Sequence, residues 1–347
     1  MPELTTLGWD DAWARAFEPH RAGGLVPGRV SVQHRGAYDV LTEEGEMRAR
    51  LPGRARHEAE SLAELPVVGD WVALEPAARD KPAIRAVLPR RTKFSRLAAH
   101  DPGSDVTREQ VVAANVDVVF IVSPLADLHP RRLERYLTLG WESGARPVIL
   151  LTKADLAADA ENEPATLENV GDVPIHAVSS RTGVGLDAVR AYLAPGVTAA
   201  LLGPSGAGKS TLVNTLAGEK LLPTGSTRDS GAGRHTTVRR ELIVLPEGGI
   251  VVDNPGMREL HLWRAADGLE EAFEDIVELE AGCKFSDCRH EGEPGCAIQA
   301  ALANGTLDPE RWQSYLDLQR ELAELEERLA RRERSRARRG RPGAGAS

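Results

Sequence analysis

Short alternating runs of apolar and polar residues fill the first quarter of the chain. Unbroken apolar runs follow in the middle, and a single helical stripe marks the end. Residues 1–24 carry only a weak helical pattern around 11–18. From residue 28 the alternation reads as five strands, at 29–33, 37–41, 47–51, 67–74 and 83–88, with glycine-containing turns between the first of them. Five short strands in about sixty residues predict a small β-barrel, with the OB-fold as leading candidate. Tyr38 and Trp71 read as its core. The runs 116–122 and 147–151 are continuously apolar, as in strands covered on both faces of a parallel sheet. Between them, Leu133, Tyr136, Leu137 and Trp141 repeat at helical spacing, so the middle of the chain is α/β. Further apolar runs lie at 173–178, 197–202 and 249–252. Near the end, Asp308 caps a helix with Pro309 in its first turn. Trp312, Tyr315, Leu318, Leu322, Leu325 and Leu329 form its apolar stripe.

The run 197–202 feeds Gly203-Pro204-Ser205-Gly206-Ala207-Gly208-Lys209-Ser210-Thr211, which fits G-x-x-x-x-G-K-[ST] with a strand before it and a helix after it. Such a turn aims several backbone N–H groups and a helix dipole at one spot, which suits a polyphosphate. Lys209 is expected to reach the terminal phosphates and the Ser210 hydroxyl to hold Mg²⁺. Composition adds little to this: 41% hydrophobic and 27% charged residues are ordinary for a globular protein. No apolar run has the ~20 residues of a membrane span, and no signal-peptide pattern is present, so a cytoplasmic protein with no membrane partner is expected. The net charge of −9 hides an asymmetry, because residues 328–341 hold eight arginines against one glutamate. Arg85, Arg90, Arg91, Lys93 and Arg96 form a second basic group, which either faces phosphate or lines a solvated linker.

The run 147–151 ends in Thr152-Lys153-Ala154-Asp155, and 173–178 ends in Ser179-Ser180-Arg181-Thr182-Gly183. The first resembles the N/T-K-x-D element of GTPases, in which the Asp carboxylate accepts from two guanine nitrogens while the Lys stem lies along the ring. The second resembles the loop whose backbone contacts guanine. Past the phosphate loop, Asp253-Asn254-Pro255-Gly256 fits D-x-x-G, with Asp253 holding Mg²⁺ through water and the Gly256 N–H sensing the γ-phosphate. Thr236 or Thr237 is the expected switch threonine, Thr237 being taken as the Mg²⁺ ligand. The base-reading elements precede the phosphate loop, the reverse of the order common in GTPases. With Ala113-Ala114-Asn115-Val116-Asp117 and the cysteine cluster described next, this rotated order resembles the circularly permuted GTPases. Within them it is similar to the small ribosomal subunit biogenesis family (RsgA/YjeQ/EngC).

The resemblance covers roughly residues 28–325 and implies hydrolysis of GTP to GDP, Mg²⁺ with the nucleotide, and the 30S subunit and its rRNA as partners of a monomeric protein. Thr152 stands where the family usually has Asn. Met257 stands where Ras-like enzymes place a water-orienting Gln, so the resemblance implies His235 as the catalytic group. All three cysteines lie in C-x4-C-x-H-x5-C. Cys283, Cys288, His290 and Cys296 therefore supply three thiolates and an imidazole, suited to one structural zinc. The expected organisation is an OB-fold-like RNA-binding barrel over 1–95 and a circularly permuted P-loop GTPase domain over 96–275. A zinc-binding α-helical module with a basic tail completes it over 276–347. Because D-x-x-G leads straight into that module, a γ-phosphate-dependent shift at Gly256 would move it. Two alternatives stay open on residues alone. One is an ATP-dependent P-loop kinase; the other is a binding protein in which the nucleotide is only a conformational signal.

Overall fold

Asp10 starts the first helix by accepting the Ala12 and Trp13 N–H groups at 3.0 Å, ahead of α1 (Asp11–Arg21). The computed structural model describes residues 3–34, 36–59, 61–76, 81–98, 109–157, 170–223, 241–253 and 266–339. After α1 come β1 (Val26–Gln33), β2 (Tyr38–Thr42), β3 (Gly45–Ala49), the short helix α2 (Gly53–Glu58), β4 (Trp71–Glu75) and β5 (Ala83–Val87). These are the five strands that the alternation predicts. β1 pairs antiparallel with both β2 and β4, β2 with β3, and β4 with β5. A parallel bridge from Arg50 to Ala83 then joins the end of β3 to β5 and closes the ring. Val30, Tyr38, Val40, Val72, Leu74 and Ile84 fill it. Trp71 packs on the outside instead, with Leu7, Trp13 and Phe17, which seats α1 against the ring.

An antiparallel pair, β6 (Lys93–Leu97) and β7 (Glu109–Ala114), leads into the α/β region. There β8 (Val118–Pro124), α3 (Pro130–Glu142), β9 (Arg146–Thr152), β10 (Ile175–Ala177), α4 (Leu186–Arg190), β11 (Thr198–Leu202), α5 (Lys209–Ala217), β12 (Glu241–Val244) and β13 (Ile250–Asp253) follow. The order β10-β9-β8-β11-β13 is parallel, and β12 adds antiparallel to β13. β12 also meets β1, through Val32 opposite Glu241, so the hydrogen-bonded sheet runs from the ring into the α/β region. Among the described residues four helices follow: α6 (Ala266–Ala272), α7 (Glu274–Ala281), α8 (Ala297–Asn304) and α9 (Pro309–Arg339). Tyr315, Leu318 and Leu322 of α9 bury in one cluster with Leu133 and Leu137 of α3 and with Phe273, so much of the apolar stripe is a packing face.

Two buried arginines hold these parts together. Arg29 of β1, 2% exposed, donates to the Leu7, Gly69 (3.3 Å) and Asn115 (3.0 Å) carbonyls and to Thr198 Oγ1 (2.8 Å). Arg311 of α9, 5% exposed, donates to Glu134 Oε1 of α3 at 3.0 Å, to both carboxylate oxygens of Asp275 and to the Ala272 carbonyl.

α6 crosses α3 at very short range. A Cβ on Gly268 would lie 2.4 Å from the Thr138 carbonyl oxygen and 2.6 Å from the Glu142 nitrogen, so only glycine permits the approach. The Glu142 carboxyl is half-buried there. Burial pushes it up to about 7, helped by Asp267 and Glu109 and opposed by the Gly268 N–H and Lys93. A carboxyl raised in the folded state stabilises the fold while it is protonated. That contribution is complete below the ordinary glutamate range and is lost as pH rises through about 7. E142Q keeps an acceptor for Gly268 without the charge. It is expected to flatten the fall in urea midpoint between pH 5 and pH 8 and to leave the variant the more stable protein at pH 8. Parallel profiles for the two proteins would refute this.

Candidate functional site

Parallel strands deliver their C-terminal ends to one edge, and that geometry gathers the motifs. β8 ends at Pro124, β9 at Thr152, β10 at Ala177, β11 at Leu202 and β13 at Asp253. The chain leaves β8 towards β9 on one side and leaves β11 towards β13 on the other. The crevice between β8 and β11 is therefore the switch point of the sheet, where ligands of α/β folds bind.

The phosphate-loop sequence opens at this crevice. Gly203 has φ +142°, and a Cβ there would lie 2.1 Å from the Val122 carbonyl oxygen of β8. The loop thus rests on the neighbouring strand and turns into α5 through Gly208. Lys209 Nζ donates back to the Gly203 and Pro204 carbonyls at 2.6 and 2.7 Å, which places its ammonium over the loop. Ser210 follows on the first turn of α5, and Ser205, Gly206 and Thr211 are exposed.

Thr152 is buried, and its hydroxyl donates to the Ala207 carbonyl at 2.6 Å, with the Ser123 carbonyl at 3.3 Å. Its side chain is thereby committed to bracing the phosphate loop. Lys153 adopts the left-handed conformation (φ +59°), which turns the chain out of β9, and Ala154 N–H bonds the Val178 carbonyl. Asp155 Oδ1 accepts the Ser179 hydroxyl at 2.7 Å, while Ser179 Oγ accepts the N–H groups of Arg181 and Thr182. The Arg181 guanidinium lies 3.8 Å from the other Asp155 oxygen. The loop containing Ser179 and Ser180 thus orients the carboxylate as well as lying beside it. Asp253 closes β13, half-buried, opposite Glu241. His235, Thr236, Thr237 and Gly256 lie outside the described residues.

Sequence reading missed Ser179 as a side-chain partner of Asp155 and Thr152 as a brace. Only their burial, next to a motif, could have signalled either role.

At the far end of α7, Cys283, Cys288, His290 and Cys296 bring three sulfurs and a ring nitrogen within 4.8 Å of one another. His290 Nδ1 lies 3.6 Å from Cys283 Sγ and 3.4 Å from Cys296 Sγ, and its Nε2 lies 3.5 Å from Glu280. The Ala297 and Gln299 N–H groups point at Cys283 and Cys296 sulfur, each at 3.4 Å. N–H donors of this kind favour thiolates, and a carboxylate behind the imidazole fixes the ring for ligation. The cluster can hold a metal ion.

The family model for the RsgA GTPase matches residues 87–263. The small ribosomal subunit biogenesis GTPase RsgA of Opitutus terrae is 46% identical over 350 aligned positions, covering 96% of this chain and 94% of its own length. The protein of that name from Streptomyces coelicolor is 44% identical, covering 92% of this chain and 86% of its own. Among solved structures, YjeQ from Thermotoga maritima matches with a TM-score of 0.64 at 27% identity, over 86% of this chain and 99% of that one. YloQ, a circularly permuted GTPase, shares the fold with a TM-score of 0.61 at 24% identity, over 86% and 96%.

Chain purified without chelators is expected to carry one tetrahedrally bound divalent metal ion, read by elemental analysis. Cys288→Ala should lose the ion and lower the melting temperature. Metal-free wild-type protein with unchanged melting would count against the site.

Proposed function

The chain belongs to the RsgA GTPase family, and on that premise we propose that it hydrolyses GTP to GDP and phosphate during late maturation of the small (30S) ribosomal subunit. The observation that carries the nucleotide reading is the Thr152 hydroxyl on the Ala207 carbonyl. It fixes the candidate base reader to the candidate phosphate cradle at one end of one sheet. An ATP-dependent kinase has no use for Asp155 at that place, because adenine offers no paired donors to a carboxylate.

In this reading the loop 203–208 cradles the phosphates with its backbone N–H groups, and Lys209 exchanges its two carbonyl acceptors for phosphate oxygens. Asp155, oriented by Ser179, accepts from the guanine edge, and Lys153 covers the ring. Ser210 and Thr237 would hold Mg²⁺, with Asp253 acting through water, and the ion would supply neutralisation of phosphate charge. Gly256 senses the γ-phosphate. Met257 carries no group that orients water, so His235 is the catalytic candidate. The Cys₃His cluster suits zinc in a structural role, since four protein ligands leave no open position. The closed ring of β1 to β5 supports an OB-type barrel at the N-terminus, which would meet rRNA. No helix among the described residues is long and apolar enough to cross a membrane. On the family's partner, the reading is of a cytoplasmic monomer working on ribosomal subunits.

Two substitutions separate base reading from bracing. Asp155→Asn replaces a paired acceptor by one acceptor and one donor, so XTP affinity should rise while GTP affinity falls. Thr152→Val leaves the Ala207 carbonyl unpaired, at a cost of about 1–2 kcal/mol. It should weaken GTP and GDP alike and leave base preference unchanged. Fluorescent-nucleotide titration reads both. Unchanged GTP binding in D155N, or altered base preference in T152V, would overturn the assignment.

His235→Ala should spare GTP affinity but remove on the order of 10²–10⁴-fold of the turnover stimulated by purified small subunits. Full stimulation in that variant would exclude the histidine from catalysis. A wild-type protein that neither binds small subunits nor is stimulated by them would overturn the proposed function itself.

A further inference from the structure

Tyr315 lies on the apolar stripe of α9 and is buried in one cluster with Phe273, Leu133 and Leu137. Phenylalanine would serve packing there as well, because a phenol hydroxyl taken out of water is costly without a partner. The hydroxyl has one. It donates at 3.2 Å to Oε2 of Glu280, near the end of α7. The other oxygen of that carboxylate, Oε1, lies 3.5 Å from His290 Nε2. Glu280 therefore stands between α9 and the one imidazole of the Cys₃His cluster.

The two ring nitrogens of His290 have different surroundings. Nδ1 lies 3.6 Å from Cys283 Sγ and 3.4 Å from Cys296 Sγ. Metal–sulfur distances of about 2.3 Å and metal–nitrogen distances of about 2.0 Å put tetrahedral ligand atoms roughly 3.5 Å apart. Nδ1 is thus the ligating nitrogen, and Nε2 is the one that faces Glu280. The rest of the residue is held as well. Its backbone is left-handed (φ +61°), and the Gln299 amide of α8 donates to its carbonyl. Trp312, one turn before Tyr315, meets the ring T-shaped, with centroids 5.7 Å apart and planes at 84°. α9 reaches the imidazole twice, directly through Trp312 and through Tyr315 by way of Glu280. A carboxylate behind a ligating imidazole keeps the proton on the far nitrogen, orients the ring and raises its basicity. Glu280 is partly exposed and has three rotatable side-chain bonds, so it needs the Tyr315 hydroxyl to stay in place.

We propose that Glu280 and Tyr315 are positioning residues of the metal site. Tyr315 fixes the carboxylate, and the carboxylate fixes the tautomer and orientation of His290. The proposal rests on the reading of the cluster as a metal centre. It adds that α9, which Arg311 ties to α3, forms the outer part of that centre.

The test titrates zinc-loaded full-length chain with a chromogenic chelator and reads the zinc retained. It compares wild type with E280Q, Y315F and E280Q/Y315F. Glutamine keeps an acceptor without the charge, and phenylalanine keeps the ring contacts to Trp312 and Phe273. E280Q should bind zinc on the order of 10–100-fold more weakly, with Y315F at the low end of that range. The double variant should be no weaker than E280Q alone, because the hydroxyl acts through the carboxylate. Cobalt(II)-loaded forms of all four should show the same tetrahedral visible absorption, since the ligands are unchanged. Zinc affinity within 2-fold of wild type in E280Q would overturn the proposal, as would losses that add in the double variant. A lowered melting temperature in Y315F with wild-type zinc affinity would reduce the pair to a plain tie between α7 and α9. Wild-type chain that takes up no zinc would overturn the metal reading, and the proposal with it.

Discussion

The guanidinium of Arg29 is the constraint on which the arrangement of the whole molecule depends. A fully buried cation is costly, and burial works against its proton. Burial lowers Arg29 to about 10, with Asp117 and Asp70 opposing the shift and Arg91 adding to it, so it stays charged at neutral pH. What makes the site tolerable is that its donors find acceptors on four separate segments: the N-terminal turn at Leu7, the ring at Gly69, the β7–β8 connection at Asn115 and the first residue of β11 at Thr198. Asn115 takes a left-handed conformation (φ +56°) here, and its own amide bonds the Gly69 carbonyl. Asp117 accepts the Thr198 N–H at 2.7 Å, which completes the node. Removing any one segment would leave a buried charge short of partners, and β11 is the strand that feeds the phosphate loop. The position of the ring and the position of the loop are therefore not independent.

The strand pairing points the same way. β1 belongs to the ring, yet its Val32 pairs with Glu241 of β12, and β12 pairs along its length with β13, which ends at Asp253. A ligand that shifts β1 must move this edge of the α/β sheet or break the bond between them. Ring and sheet act as one continuous hydrogen-bonded unit. A separate RNA-binding module tethered to an enzyme would need no such bond.

The parts legible in the sequence are those whose geometry is local. Alternation gives β1 to β5 because each strand shows one face to the ring interior, and the phosphate loop is readable because its glycines must sit at fixed spacing. C-x4-C-x-H-x5-C is readable because metal ligands come from neighbouring turns. The unreadable parts are contacts at long separation. Arg29 reaches Asn115 and Thr198 across 86 and 169 positions, and nothing in its neighbourhood distinguishes it from a surface arginine in an alternating strand. Thr152 reads as a departure from Asn at a base-reading position, and only the position of Ala207 reveals its hydroxyl as a brace. The basic group at 85–96 is left open by the sequence for the same reason: Arg90 pairs with Asp70, Arg91 with Asp10 and Lys93 with Glu109, each well removed along the chain.

Permutation leaves the strand ends converging as before and changes what hangs from them. Asp253 now leads to α6, which invites the idea that a movement at the D-x-x-G segment swings the metal-binding module. The packing opposes this. Gly268 is wedged against the backbone of α3, and Arg311 joins the α6–α7 corner, through the Ala272 carbonyl and Asp275, to buried Glu134 of α3. Separating a buried pair such as Arg311–Glu134 costs roughly 3–5 kcal/mol, against the 1–3 kcal/mol typical of allosteric coupling. In this structure α6 is therefore tied to α3 both by close backbone approach and by the Arg311 pairs. The other connection of the D-x-x-G strand is through the sheet itself, from Asp253 along β13 and β12 to β1 and the ring, and it consists of backbone hydrogen bonds rather than of a side-chain pair.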